Sequence, residues 1–226
     1  MEGNNSGREI SRRMDTKKIS VLAMLSALAF IVMAVGRVPV VLFLRYDPKD
    51  VIITIGGFLY GPLAAFIVTA VVAFVEMITV SDNGFIGLLM NIIAGCSFAC
   101  TASFIYQKKR TLKGAVLGLL AAWIITTAVM VMWNYLITPV YMKIPREVVV
   151  GYMLPAFIPF NLLKGGLNAA ITMLLYKPVR AALSAYRMTP PVVSGKTGKL
   201  NAGVVIASVF VIVTCVLWIL VLQGIL

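Results

Sequence analysis

The sequence predicts an all-α membrane protein with seven hydrophobic elements, and three observations carry that reading. First, 61% of its 226 residues are hydrophobic and the mean hydropathy is +0.98, whereas soluble domains run nearer half apolar. Second, several apolar runs reach or exceed the roughly 20 residues a bilayer-spanning helix needs. Third, the basic residues gather between those runs. The runs are continuous rather than alternating, which excludes a β-barrel.

Residues 1–18 are polar and basic and read as a disordered cytoplasmic tail. The first helix spans 19–35; it is long and lacks a small-residue cleavage site, so it reads as a helix that is kept rather than a signal peptide. An outer loop follows over 37–50. The stretch 51–80 is broken at Gly61-Pro62. It divides into a short second helix, 51–60, and a third, 62–79, which starts on a proline suited to a first turn. A turn, Ser81-Asp-Asn-Gly84, leads to the fourth helix, 85–106. A basic loop precedes the fifth, 114–137, and a loop over 138–151 precedes the sixth, 152–176. Pro155 and Pro159 bend the first half of that helix and free carbonyls, which membrane proteins tolerate where backbone lines a cavity. A basic amphipathic end, 177–187, runs into a Pro/Gly/Ser-containing linker, 188–200. The last run, 201–226, is uncharged and long enough to span. The domains are thus the tail 1–18, a membrane domain 19–187, the linker 188–200 and a seventh helix, 201–226.

The net charge of +12 invites a nucleic-acid reading, but its distribution is that of membrane topology. With the amino terminus cytoplasmic, inner segments hold 14 Lys/Arg, five in the tail, four over 107–113 and five after the sixth helix, against five in outer segments. This is the positive-inside pattern. It places the protein in the cell membrane as a multi-pass chain, with lipid as its surroundings and no nucleic-acid partner.

Lys164 is the basic residue left over. It lies inside the sixth apolar run, where an ammonium costs several kcal/mol unless it faces a polar cavity, a partner or a ligand. Asn161 stands three residues before it on the same helix face. Glu76 is the other charge within an apolar run, near the outer end of the third helix, and Asn134 lies at the outer end of the fifth in Trp133-Asn134-Tyr135. Glu76 and Lys164 form either a structural ion pair or part of a polar site opening outward, and the neighbouring amides favour the site. Trp133, Tyr135, Tyr141 and Tyr152 read as an interfacial aromatic belt. Cys96 and Cys100, one turn apart, read as small packing residues, since the chain has no His to complete a metal set. Ser194-Gly-Lys-Thr197 resembles the end of a phosphate loop but lacks the earlier Gly and a preceding strand. No cofactor, metal or catalytic motif is expected, so the chain is not read as an enzyme. Ala23-Met-Leu-Ser-Ala27 is a small-xxx-small pattern that lets another helix approach closely.

Over about residues 15–180 these features resemble the S component, the substrate-binding subunit of energy-coupling factor (ECF) vitamin transporters. The resemblance rests on the small-xxx-small pattern, on Asp47-Pro-Lys-Asp50, and on Ile55-Gly-Gly-Phe-Leu-Tyr-Gly-Pro-Leu-Ala64. Trp133-Asn-Tyr-Leu-Ile-Thr-Pro-Val-Tyr141 and Phe160-Asn-Leu-Leu-Lys-Gly-Gly-Leu-Asn168 look most like the riboflavin branch. The resemblance implies a six-helix S-component bundle, here with an extra carboxyl-terminal transmembrane helix. It implies capture of a vitamin from outside, with transport through an ECF transmembrane coupling protein and two ATPase subunits. It assigns ligand binding to Leu44, Arg45, Tyr46 and Asp47 of the first outer loop and to Asn134, Asn161 and Lys164, and coupling-protein docking to Ala23 and Ala27; Glu76, from its place in the third helix, is read as a further substrate-binding residue. Arg45, Tyr46 and Glu76 depart from the residues usual there.

The leading expectation is capture of riboflavin. Alternatives within the class are pantothenate, a pyridoxine-like compound or a pyrimidine. Outside it stand a self-sufficient secondary transporter, for which no internal repeat is seen, and an intramembrane enzyme.

Overall fold

The computed structural model describes residues 3–42, 44–81, 84–185 and 202–223. Helix α1 covers Gly3–Gly36. The tail, expected to be disordered, is therefore helical from Gly3. No proline interrupts 3–36, and the Arg, Lys and Met of the basic stretch are good helix formers, so the membrane helix propagates backwards at little cost. The apolar half of α1 buries Val21, Leu22, Leu25 and Ala29 and turns Ala23 and Ala27 outward.

The expected outer loop is an antiparallel hairpin, β1 (Val38–Val41) and β2 (Leu44–Tyr46), pairing Val38 with Tyr46 and Pro39 with Arg45. A register shift between Pro39 and Val41 gives one strand an extra residue and bends the hairpin. Helix α2, Lys49–Tyr60, begins two residues earlier than expected and is buried over most of its length. Its 12 residues rise only about 18 Å, short of the roughly 30 Å hydrocarbon core. Because α1, α3 and α8 pack around it, it is a core helix rather than a span. Gly61, at φ +103, makes the corner to α3, Pro62–Thr79, whose bounds are those the sequence predicts. A side chain is strained at that φ, so glycine ends one helix and proline starts the next.

The turn over 81–84 falls partly outside the described residues. Helix α4 (Gly84–Gly95) continues through a π-helical turn, Cys96–Cys100, into α5 (Thr101–Lys109). Helix α6, Leu112–Met142, runs through Pro139 and is longer than the expected 114–137. The loop expected over 138–151 is mostly helix: the end of α6, then α7, Arg146–Tyr152. A second π-helical turn, Met153–Phe157, holds Pro155 and leads into α8, Ile158–Ala185, which takes in the described part of the basic amphipathic end. The linker 188–200, with Ser194-Gly-Lys-Thr197, lies outside the described residues. Helix α9 is Ala202–Leu222 and packs on α8.

Among the described residues six helices are long and apolar enough to cross a membrane: Thr16–Gly36, Pro62–Thr79, Gly84–Lys109, Leu112–Met142, Arg146–Ala182 and Ala202–Leu222. With α2 they account for the seven hydrophobic elements. Close approach of α6 to α8 depends on Gly165: a Cβ there would stand 2.2 Å from the Trp123 ring. The Trp123 indole N–H reaches across to the Leu162 carbonyl at 2.8 Å. This contact places the cavity-facing side of α8 opposite α6.

Candidate functional site

A cavity of about 340 Å³ lies between the hairpin, the start of α2, the end of α3, and α4, α6 and α8. Its walls carry apolar groups such as Leu44, Met90, Met130 and Phe160, and a band of charge. Sites for small molecules have volumes of about 300–1,000 Å³ and this mixture of apolar wall and a few placed polar groups.

The charges form one ladder across four segments. Arg37, just after α1, pairs with Glu76 of α3. The second Glu76 oxygen accepts from Lys49 Nζ at 2.5 Å, and Lys49 also donates to Asn91 Oδ1 of α4 at 3.0 Å and lies 3.7 Å from Asp47. Lys164 Nζ stands 3.5 Å from Asp50 and 3.9 Å from Asp47. Asn168, one turn further along α8, donates to Asp50 at 3.3 Å and accepts from the Tyr46 hydroxyl at 3.1 Å. Burying so many charges stabilises nothing by itself, because desolvation offsets the Coulomb gain. Breaking one pair leaves an uncompensated charge in low dielectric, so the ladder constrains how its segments sit together. Asp47 shows the balance: burial alone would raise its carboxyl pKa, but Lys164, Lys49 and Arg37 outweigh that and hold it below the ordinary carboxylate value.

The wall is charge-balanced: Arg37, Arg45 and Lys164 face it beside Asp47, Asp50 and Glu76. Arg37 Nε, Asp47 Oδ1 and Thr126 Oγ1 are buried at this cavity with no hydrogen-bond partner among the described residues. Buried polar atoms are rarely left so, and all three belong to residues that line the cavity.

The residues singled out from sequence divide as follows. Lys164, Asn161, Asn134, Asp47, Leu44, Arg45 and Glu76 all line the cavity. Asn134 Nδ2 donates to the Met130 carbonyl and Asn161 Nδ2 to that of Phe157, each at 2.8 Å. An amide nitrogen carries two N–H groups, so each has a second donor beyond the one spent on its own helix. Tyr46 is a correction. Tyr46 is buried in the apolar cluster with Val40 and Leu44, and its hydroxyl donates to Asn168 instead of lining the cavity. The alternative of a Glu76–Lys164 ion pair is also corrected: Glu76 is held by Arg37 and Lys49, and Lys164 by the two aspartates. Of the aromatic belt, Tyr135 and Tyr152 are exposed, but Tyr141 also borders the cavity.

Sequence reasoning missed Arg37, Lys49, Asp50, Asn91, Thr126 and Asn168. For Asn91 and Asn168 the signal was present, since each is an amide inside an apolar run, as Asn161 is. For Lys49 and Asp50 it was hidden by assigning them to a loop rather than to the first turn of a buried helix.

A family model for the substrate-specific component of ECF transporters matches residues 17–176. The chain is 30% identical to the riboflavin transporter RibU of Staphylococcus aureus (strain TCH60) over 182 residues, 76% of this chain and 95% of that one. It is 29% identical to the riboflavin transporter FmnP of Bacillus subtilis (strain 168), over 72% of this chain and 92% of that one. In three dimensions it is similar to a solved S component of a bacterial ECF transporter, with a TM-score of 0.63 and 32% identity, covering 75% of this chain and 98% of that one. The shared fold, the matched residues and the cavity within them agree, and the chain belongs to the substrate-specific components of ECF transporters.

Proposed function

We propose that this protein captures riboflavin in the cavity and delivers it across the cell membrane as the substrate-specific subunit of an ECF-type ABC transporter. The observation that carries the reading is the convergence of Asn134, Asn161 and Lys164 on one charge-balanced cavity. A flat, uncharged heteroaromatic ligand with carbonyls along one edge meets amide and ammonium donors there, while Leu44, Met130 and Phe160 cover its faces. Relatives named as riboflavin transporters support the same substrate. The balanced wall disfavours an anionic vitamin such as pantothenate, whose carboxylate would meet three others with no surplus cation lining the cavity.

The inner–outer difference in basic residues supports a cytoplasmic amino terminus and a cavity opening outward. The exposed Ala23 and Ala27 on α1 suit close approach of a coupling-protein helix, and that protein would work with two ATPase subunits.

The test is a riboflavin titration of the purified protein followed by flavin fluorescence, with pantothenate, pyridoxine and pyrimidines as competitors. Saturable quenching that these competitors leave unchanged is expected; no quenching, together with another vitamin found bound by mass spectrometry, would overturn the substrate. Replacing Ala23 or Ala27 by Trp should leave the titration unchanged and abolish uptake in cells. Loss of binding and uptake together would remove the docking role from α1.

A further inference from the structure

Helix α9 lies beyond the family match, which ends at residue 176. Its position is nonetheless specific. Cys215 is buried in the same apolar cluster as Val40 and Leu44 of the hairpin and Phe160 of α8. Ile219, one turn further, packs on that cluster. Gly166 of α8 leaves the Cys215 sulfur only 3.6 Å from where a Cβ would stand, so α9 is seated directly on α8. At the end of α9, Gln223 Nε2 donates to the Pro39 carbonyl of β1 at 2.6 Å. Pro39, Leu44 and Arg45 of the same hairpin line the cavity. One helix therefore packs on, and hydrogen-bonds to, the same hairpin that lines the cavity.

We propose that α9 is a built-in restraint on the hairpin over the binding cavity, with Gln223 as the positioning residue that ties the two together. A hairpin of four and three residues is marginal alone. Apolar packing from Ile219 and Cys215 and the hydrogen bond from Gln223 narrow the range of positions it samples. A ligand beneath a restrained lid leaves more slowly, and less ordering remains to be done when it binds. The ligand part of this inference rests on the proposed function; the restraint itself does not.

The experiment uses the full chain. Hydrogen–deuterium exchange is followed for peptides covering 38–46 and, as an internal reference, for peptides of α6. Gln223→Glu keeps the shape and removes the N–H donor; Gln223→Lys keeps a donor. Gln223→Glu should raise exchange of the hairpin roughly three- to tenfold, the range expected for one lost hydrogen bond, with α6 unchanged. Gln223→Lys should stay close to the parent. The double variant Ile219→Ala/Gln223→Glu should raise hairpin exchange further, and riboflavin dissociation should speed up in the same order. Hairpin exchange unchanged in both Gln223→Glu and the double variant would overturn the restraint. A hairpin that loosens as expected in a chain that binds no riboflavin would uphold the restraint and overturn the substrate.

Discussion

Helices α2 and α8 each take part in two side-chain clusters, one towards either end, and the two are built on opposite rules. At the cavity end, Asp50 of α2 and Lys164 of α8 belong to a ladder of charges beside open space, with several polar atoms unspent. At the other end, about 12 Å along α2 and about 18 Å along α8 by helix rise, Phe58, Tyr106 and Tyr176 close on one another. The Phe58 and Tyr106 rings stack at 4.4 Å and Tyr176 meets Phe58 edge-on at 5.3 Å. The two tyrosine hydroxyls are hydrogen-bonded to each other, and Arg180 donates to both, at 3.1 Å and 2.6 Å. Here polar capacity is spent inside the cluster and the aromatic faces fill the volume. The same two helices thus hold a closed joint at one end and present a receptive wall at the other. Rigidity at the joint lets the wall keep its geometry while its polar atoms remain available.

If that division is right, substitutions at the two ends differ in kind. The largest effect belongs to Lys164→Met, which leaves Asp47 and Asp50 facing each other without their shared cation. Removing one partner of a buried pair costs about 3–5 kcal/mol. The lower figure fits best here, because the Lys164 side chain is 18% exposed. The melting temperature in detergent should fall and ligand binding should be lost. Adding Asp50→Asn should restore part of the stability without restoring binding, a separation that a double-mutant cycle reads directly. Full recovery of both would mean that Lys164 serves the ladder alone.

A smaller effect, confined to binding, is expected for Asn161→Leu. Among the described residues its amide bonds only to the Phe157 carbonyl, one turn back, so the ladder survives. Riboflavin affinity should fall about tenfold to a hundredfold, as when a buried ligand group loses its partner. The melting temperature without ligand should stay near that of the parent. A large drop in melting temperature would show that Asn161 is part of the scaffold and move it out of the receptive wall.

How much of this was legible in the sequence depended on the range of the interaction that decided it. The corner at Gly61-Pro62 was legible because proline at a first turn and glycine at positive φ act locally. Lys164 and Asn161 were legible because charge and amide stand out within an apolar run. The hairpin was not: strands of four and three residues are too short for alternation to register, and Pro39 reads as a breaker. The partners of Lys164 were not legible either, since Asp47 and Asp50 lie more than a hundred residues away and only packing brings them near. The seventh helix was legible as a span from its composition, but its grip on the hairpin depends on one exposed glutamine and a register that no periodicity encodes.

The smallest expected effect sharpens the comparison most. Tyr176→Phe removes one hydroxyl from the closed joint and keeps the ring that packs against Phe58. Arg180 and Tyr106 are still bonded to each other, and Arg180 is partly exposed and can turn its freed N–H towards water. Two hydrogen bonds end at the Tyr176 hydroxyl; with the Arg180 N–H rehydrated the net loss is about 1 kcal/mol of stability, seen as a shift of a few degrees in detergent. Riboflavin affinity should not move, since Tyr176 lies about 18 Å along α8 from Lys164 and the aromatic packing that fixes the helix ends is intact. An affinity change of threefold or more would mean that the joint transmits its state along α8 to the wall. In that case the two ends are one coupled device rather than a fixed base and a receptive site.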